Sequence, residues 1–320
     1  MTRISLVAPE EASAEAKTHA ELRARIAWLG RNASFEATSA EILQDGFASI
    51  GLAHGTRIYI PHVANTEFAD IVQAAGRVRS LGLRAVPHIA ARRLNSKQEL
   101  DDLLRGLRGV GCRDLLLIGG SARRPKSEFA SVRDVVRTGL LQTHGMAQIG
   151  VAGHPEGSPD IRDEDLASAL AEKNRFAQQE HGIRMHLVTQ FCFAPQPILA
   201  WEERIRTHGN RLPVHVGVPG LTSMTSLLRF AALCGVRVSA DFLRGGMRKI
   251  ARAPLGWSPG AVVLKIAERL LSRPGCLFNR MHFFPFGGLK QTVSWVNALA
   301  QGRFELEESS SGLELARVEV

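Results

Sequence analysis

Glu36 ends a short apolar run, Ala33-Ser34-Phe35-Glu36-Ala37. Its neighbours exclude water, so desolvation should raise its pKa and let it give a proton near neutral pH. Far along the chain, Val188-Thr189-Gln190-Phe191-Cys192-Phe193 closes another such run with an amide. A carboxylic acid beside an amide that has one acceptor and two donors suits a flat nitrogen heterocycle. Further run ends carry His62, His88 and His154, and a bare turn follows at Gly119-Gly120-Ser121. Backbone without side chains lets a planar ring or a phosphate come close. Three histidines on separate runs make a weak metal set, so no metal is expected. A serine hydrolase would need a nucleophile elbow, which the sequence lacks.

These residues need a scaffold that gathers strand ends. Apolar runs recur at Ala33–Ala37, Arg57–His62, Leu83–Ile89, Asp114–Ile118, Ala147–Ala152, Met185–Phe193, Pro213–Val218 and Met281–Phe286. Helical periodicity fills several gaps. Phe68, Ile71, Val72, Ala75 and Val78 share one face, and Asn95-Ser96 opens a second helix carrying Leu100, Leu103, Leu104 and Leu107. Further helices are expected at Ser223–Leu233 and Ala261–Leu271. Eight strands alternating with helices predict an α/β fold, a (β/α)8 TIM barrel with an extra N-terminal helix. No G-x-G-x-x-G follows an early strand, which disfavours an open dinucleotide-binding sheet. Residues 1–31 are expected as a helical extension and 32–300 as the barrel. Residues 301–320 read as a polar, partly disordered tail.

Bulk properties limit the partners. The chain has 320 residues, a net charge of +9 and 45% hydrophobic residues. Its basic residues are scattered arginines, such as Arg77, Arg79, Arg92, Arg105 and Arg108, and tyrosine occurs once. A stacking nucleic-acid platform is therefore not expected; anionic small molecules are. No apolar run is long enough to span a bilayer, and acidic residues arrive before a signal-peptide core forms, so a cytoplasmic protein is expected. The four cysteines, Cys112, Cys192, Cys234 and Cys276, form no C-x-x-C pair and read as structural thiols.

The ordered strand ends resemble those of the methylenetetrahydrofolate reductase family from about Asn32 to Leu299. Ser34-Phe35-Glu36 resembles the family's Ser-Phe-Glu strand, which implies that Glu36 is the general acid. Ala85-Val86-Pro87-His88 is similar to the Ala-Pro-His strand end that faces the flavin. Gly153-His154-Pro155-Glu156 resembles a Tyr-Pro-Glu segment, followed by Asp165 and Lys173, which would hold the cofactor's ribose and phosphates. Gln190-Phe191 matches the family's Gln-Phe, whose Gln contacts the pterin. The resemblance implies a tetrahydrofolate substrate and an FAD bed of His62, His88, Gly119, Gly120, Ser121 and His154. Phe191, Met224 and Ser121 would also lie near the substrate.

Several positions depart from the pattern. Gly119-Gly120-Ser121 stands where the family has Arg-Gly-Asp, Met224 replaces a Phe, and Gly287-Gly288 replaces Asn-Arg. The folate half is thus better preserved than the flavin half. The expected reaction interconverts 5,10-methylenetetrahydrofolate and 5-methyltetrahydrofolate by hydride transfer. Loss of the Asp points toward oxidation of methyltetrahydrofolate. The alternatives are a flavin-independent reductase using NADH or NADPH directly, and a folate-binding barrel without catalysis. A homo-oligomer is admitted but not required.

Overall fold

Eight apolar runs, each long enough for one crossing of a barrel wall, become eight parallel strands. They are β1 (Ser34–Glu36), β2 (Arg57–Ile60), β3 (Arg84–Ala90), β4 (Asp114–Ile118), β5 (Gln148–Gly153), β6 (Arg184–Thr189), β7 (Val214–Pro219) and β8 (Phe278–Phe284). They close in sequence order, and β8 returns to β1 through Ser34↔His282 and Phe35↔Phe283. Near-continuous apolar character is what a parallel strand covered on both faces requires. The computed structural model describes residues 9–63, 66–120, 127–158, 161–180, 182–222, 258–309 and 312–320, with side chains from Thr18 onward. The helix expected at 223–233, Ser121, Met224 and Cys234 lie outside the described residues.

The described helices are α1 (Pro9–Arg31), α2 (Ser39–Ile42), α3 (Phe68–Ser80), α4 (Lys97–Gly109), α5 (Val132–Arg137), α6 (Leu140–Thr143), α7 (Asp163–Gln179), α8 (Pro195–Thr207), α9 (Gly260–Ser272) and α10 (Leu289–Ala300). Sequence chemistry sets their starts and buried faces. Ser96 caps α4 by accepting from the Glu99 N–H, and Leu100, Leu103, Leu104 and Leu107 face the strands. In α3, Ile71, Ala74, Ala75 and Val78 do the same. Helix α7 differs: none of its residues is fully buried. It stands away from the wall and leaves a cleft of about 660 Å³ against α8 and the end of β5. Helix α1 lies against α9 and α10, burying Leu22, Ile26 and Leu29.

The barrel interior is unusually polar. Tyr59, Val86, Leu116 and Val188 form a small cluster separate from the main core. The Tyr59 hydroxyl spans the lumen to His186 Nε2 on β6 at 3.1 Å and His215 Nδ1 on β7 at 3.3 Å. At the N-terminal strand ends, Arg84 pairs with Asp114 at 2.7 Å, and Arg57 donates to Gln148 Oε1 at 3.1 Å. This end is tied by ion pairs, which leaves the C-terminal ends as the open mouth.

The last residues correct the expectation of a polar, partly disordered tail. They form an antiparallel hairpin, β9 (Phe304–Ser309) and β10 (Gly312–Val318). Phe304 is buried, and Leu306, Leu313, Leu315 and Val318 pack against the core from alternate positions. Their Ser- and Glu-rich partners face water, a period-2 pattern that overall composition concealed. Arg23 of α1 anchors the hairpin, donating to Phe304 O at 2.8 Å and Gly302 O at 2.9 Å. Among the described residues, no helix is long and apolar enough to cross a membrane.

Candidate active site

Glu36 is the last residue of β1, and its side chain is 17% exposed. Its Oε1 lies 3.5 Å from His88 Nε2 on β3 and 3.9 Å from His282 Nε2 on β8. Burial pushes its pKa from the usual carboxylate value up to about 7; His88 opposes this and Glu41 adds to it. The surrounding rings are held neutral, again chiefly by burial. His88 falls to about 4 despite the opposing pull of Glu36, and His282 falls to about 3 with help from Arg280. At neutral pH the site therefore holds one carboxyl poised between its two states among uncharged imidazoles.

Gln190 follows β6 in a segment that leaves the ladder to bind its neighbours. Its N–H donates to Gly153 O at 3.1 Å, and its side-chain Nε2 donates to Gly157 O at 3.2 Å. Thr189 Oγ1 accepts from the Gly217 N–H at 2.8 Å, and the Cys192 N–H donates to Gly217 O at 3.1 Å. Gly217 permits this seating: a Cβ there would lie 2.5 Å from Thr189 O and 2.8 Å from both Gln190 O and the Phe284 ring. The strand consequently ends at Thr189 rather than at Phe193, as the apolar run suggested.

An aromatic path runs from His282, beside the acid, to Phe191, the residue that follows the amide. His282 and Phe284 rings are 4.7 Å apart, Phe284 and Phe191 are 5.5 Å apart, and Phe286 stands 5.0 Å from Phe191. Strands β1 and β6 are three positions apart around the ring, and this path fills the arc between their ends. Phe286 adopts φ 48°, an uncommon conformation for an aromatic residue, at the edge of this platform.

The other expected residues fall in several places. At β4, the Gly119 and Gly120 carbonyls accept from Arg92 N at 3.0 Å and Arg92 Nη1 at 2.9 Å. Gly120 has φ +83°, and an added Cβ would lie 3.1 Å from Ala90 Cβ. His62 packs on Phe68 at 4.7 Å, at the entry to α3. His154 and Lys173 line the cleft beside α7. Burial and Lys173 lower His154 to about 4; burial lowers Lys173 to about 8, with its Nζ donating to Ala152 O at 2.9 Å. Asp165 instead forms an exposed pair with Arg162 at 2.9 Å and does not line that cleft.

Four contributors received no role from the sequence reading: Ser34, His282, Phe284 and Phe286. Where both faces of a strand are mostly apolar, period-2 alternation is hidden, so the inward residues of Met281–Phe284 carry no mark. The available signal was a lone His among phenylalanines near a strand end. Glu156 is a fifth: its Oε2 is buried without a hydrogen-bond partner, and burial raises its pKa while the Cys192 thiol opposes that rise. Among the described residues, no group of three His, Cys, Asp or Glu side chains is gathered as a metal would need.

Fold and site together define an eight-stranded α/β barrel with its polar chemistry at the C-terminal mouth. The methylenetetrahydrofolate reductase family model matches residues 63–253, more than half of the chain, and the chain belongs to that family. It is 28% identical over 157 residues to methylenetetrahydrofolate reductase 1 of Schizosaccharomyces pombe, covering 46% of this chain and 25% of that protein. It is 24% identical over 180 residues to methylenetetrahydrofolate reductase 2 of Saccharomyces cerevisiae, covering 54% of this chain and 29% of that protein. The matched part is thus between a quarter and a third of these relatives' length. Among solved structures, a Clostridium thermocellum protein that binds two copies of 5-methyl-5,6,7,8-tetrahydrofolic acid is similar with a TM-score of 0.54 at 12% identity. The match covers 87% of this chain and 97% of that one, a likeness of fold.

Proposed function

We propose that this protein interconverts 5,10-methylenetetrahydrofolate and 5-methyltetrahydrofolate, with Glu36 managing the proton. The observation that carries this reading is a carboxyl with a pKa of about 7, buried among neutral histidines at the mouth. Opening the five-membered ring of methylenetetrahydrofolate breaks the bond from the one-carbon unit to N10. The departing nitrogen needs a proton, and protonated Glu36 gives it. The carbon is left as an iminium on N5, and a hydride completes the methyl group. In reverse, the methyl group surrenders a hydride and ionised Glu36 takes the proton from N10. Gln190 pairs with the amide-like pterin edge. Phe191, Phe284 and Phe286 offer ring faces for stacking and keep water from the reactive carbon.

FAD fits the remaining features and would supply two-electron hydride exchange. The cleft beside α7 carries Lys173, Arg204 and His208, which suits a diphosphate. His88 Nε2 is buried without a hydrogen-bond partner on the side toward Glu36, and the Gly119-Gly120 turn exposes backbone. A carboxylate beside the flavin would disfavour its anionic reduced form. Gly119-Gly120-Ser121 supplies none, while Arg92 brings a guanidinium to Gly120 O. The bound flavin should be more oxidising for this reason, favouring oxidation of the methyl group. Ser121→Asp is expected to lower the flavin potential; an unchanged or raised potential defeats the directional reading.

The decisive experiment is Glu36→Gln. Folate turnover should fall by about 10²–10⁴-fold while flavin absorbance and flavin reduction by nicotinamide persist. Wild-type turnover in that variant sinks the proton role. A colourless purified protein that still turns over with NADH or NADPH would replace the flavin route with direct hydride transfer.

A further inference from the structure

Two buried ring nitrogens without hydrogen-bond partners, His88 Nε2 and His282 Nε2, converge on Glu36 Oε1. Such atoms are rare in folded proteins and call for an explanation. His282 is wholly buried, and its opposite ring nitrogen, Nδ1, lies 3.1 Å from Ser34 Oγ. Ser34 is also wholly buried, and its hydroxyl donates to Met281 O at 3.2 Å. A carbonyl only accepts and a serine hydroxyl has one hydrogen, so with that hydrogen given to Met281 O none is left for His282 Nδ1. Ser34 Oγ can then only accept from His282, which requires the ring proton on Nδ1. A neutral imidazole has one such proton, so Nε2 faces Glu36 as a bare lone pair.

We propose that Ser34 and His282 are positioning residues that keep the proton on Glu36, Ser34 by fixing the His282 tautomer and His282 by presenting an acceptor to the carboxyl. A short rotation of the Glu36 side chain brings its O–H within bonding distance of Nε2. The ionised carboxylate would meet that same lone pair as a repulsion. This preference adds to burial and selects the form a proton donor needs. The other groups around the carboxyl are His88 on β3, Tyr59 on β2, which contacts both His88 and His282 as a neutral phenol, and Glu41 on α2. None of them dictates the tautomer of His282. The proposal deepens the proton role argued above and rests on it for its meaning in turnover, but its test does not require turnover.

Long-range proton–nitrogen NMR on the wild-type protein reads the tautomer directly. His282 should show a protonated Nδ1 and a bare Nε2; the opposite pattern overturns the proposal without any variant. Infrared titration of the protonated carboxyl band that disappears in Glu36→Gln then follows the acid itself. Ser34→Ala lets His282 carry its proton on Nε2 and donate to the carboxylate. The Glu36 midpoint should fall by about one pH unit, a tenfold loss of proton affinity. Ser34→Thr keeps the hydroxyl and should restore the wild-type midpoint. A purely structural Ser34 would alter stability and leave the midpoint in place, and that result also overturns the proposal. If these measurements hold while Glu36→Gln stays fully active, the function fails and the tautomer device stands.

Discussion

Glu36 and Glu202 are both glutamates withdrawn from water, and they have been put to opposite uses. Glu202 on α8 is fully buried, with Arg206 Nε at 3.3 Å, Arg269 Nη2 at 3.2 Å and the Leu277 N–H at 3.1 Å. Its charge is answered by two guanidinium groups, and it clamps α8 to α9 and the entry to β8. Glu36 faces only neutral rings at 3.5 and 3.9 Å, and burial lifts it to about 7. Depth alone does not decide what a buried acid becomes. Cations around it make a strut, and uncharged acceptors make a reagent.

The largest expected effect concerns the neutrality of the rings. His88 is lowered to about 4 and His186 and His282 to about 3, while the unfolded chain protonates histidine near 6.5. Below pH 6.5 the unfolded state binds protons that the folded state refuses, so stability falls as pH drops. Each ring contributes on the order of 1.4 kcal/mol per pH unit across that window, and several act together. Denaturant unfolding from pH 7 to pH 4 should show a steep loss; a flat profile would mean that the rings are charged and the comparison is wrong.

Next is Glu202→Ala, which removes the wholly buried partner of Arg206 and Arg269 and leaves both with Glu203 alone. It should cost about 1.5–3 kcal/mol in denaturant unfolding while leaving turnover per folded molecule intact. Converting one environment into the other is a sharper test. His88→Lys places an ammonium beside Glu36 and should lower its midpoint by about 1–3 units in the infrared titration. An unmoved midpoint would show that partner charge is not what separates the two sites.

The smallest effect belongs to Glu36→Gln measured as stability. The folded carboxyl holds its proton up to about 7, whereas the unfolded one releases it near 4.5. The carboxyl's own contribution to wild-type stability therefore declines as pH rises between those values and levels off above them, against the larger opposite trend of the histidines. The variant should be more stable by about 1–3 kcal/mol above pH 7 and equal to wild type near pH 4.5. A destabilised variant at pH 8 would mean that Glu36 is a strut after all.

Much of this arrangement was legible in the sequence because each β-strand is a short apolar run closed by a polar residue. Glu36 and Gln190 stand at strand ends in places their own neighbours indicate. Boundaries slipped where polarity misled. β8 begins at Phe278, ahead of the Met281 expected, because Asn279 and Arg280 interrupt its apolar character. Arg280 turns to the bottom of the barrel and donates to Asn32 O. His282 was invisible as a partner of Glu36, since that contact depends on ring closure between the first and last strands. The hairpin at 304–318 was hidden by composition, although Phe304 and Leu306 on β9 and Leu313 and Leu315 on β10 alternate toward the core.

The anchorage of that hairpin on α1 bears on how the polypeptide is made. Arg23 waits for Phe304, a partner 281 positions later, and β1 cannot acquire its second neighbour until β8 has been synthesised. A ribosome emits the first strand and its covering helix long before anything exists to sheathe them. The nascent chain must therefore carry an open sheet edge through most of translation, and chaperone dependence should be greatest for polypeptides stalled just short of Phe278.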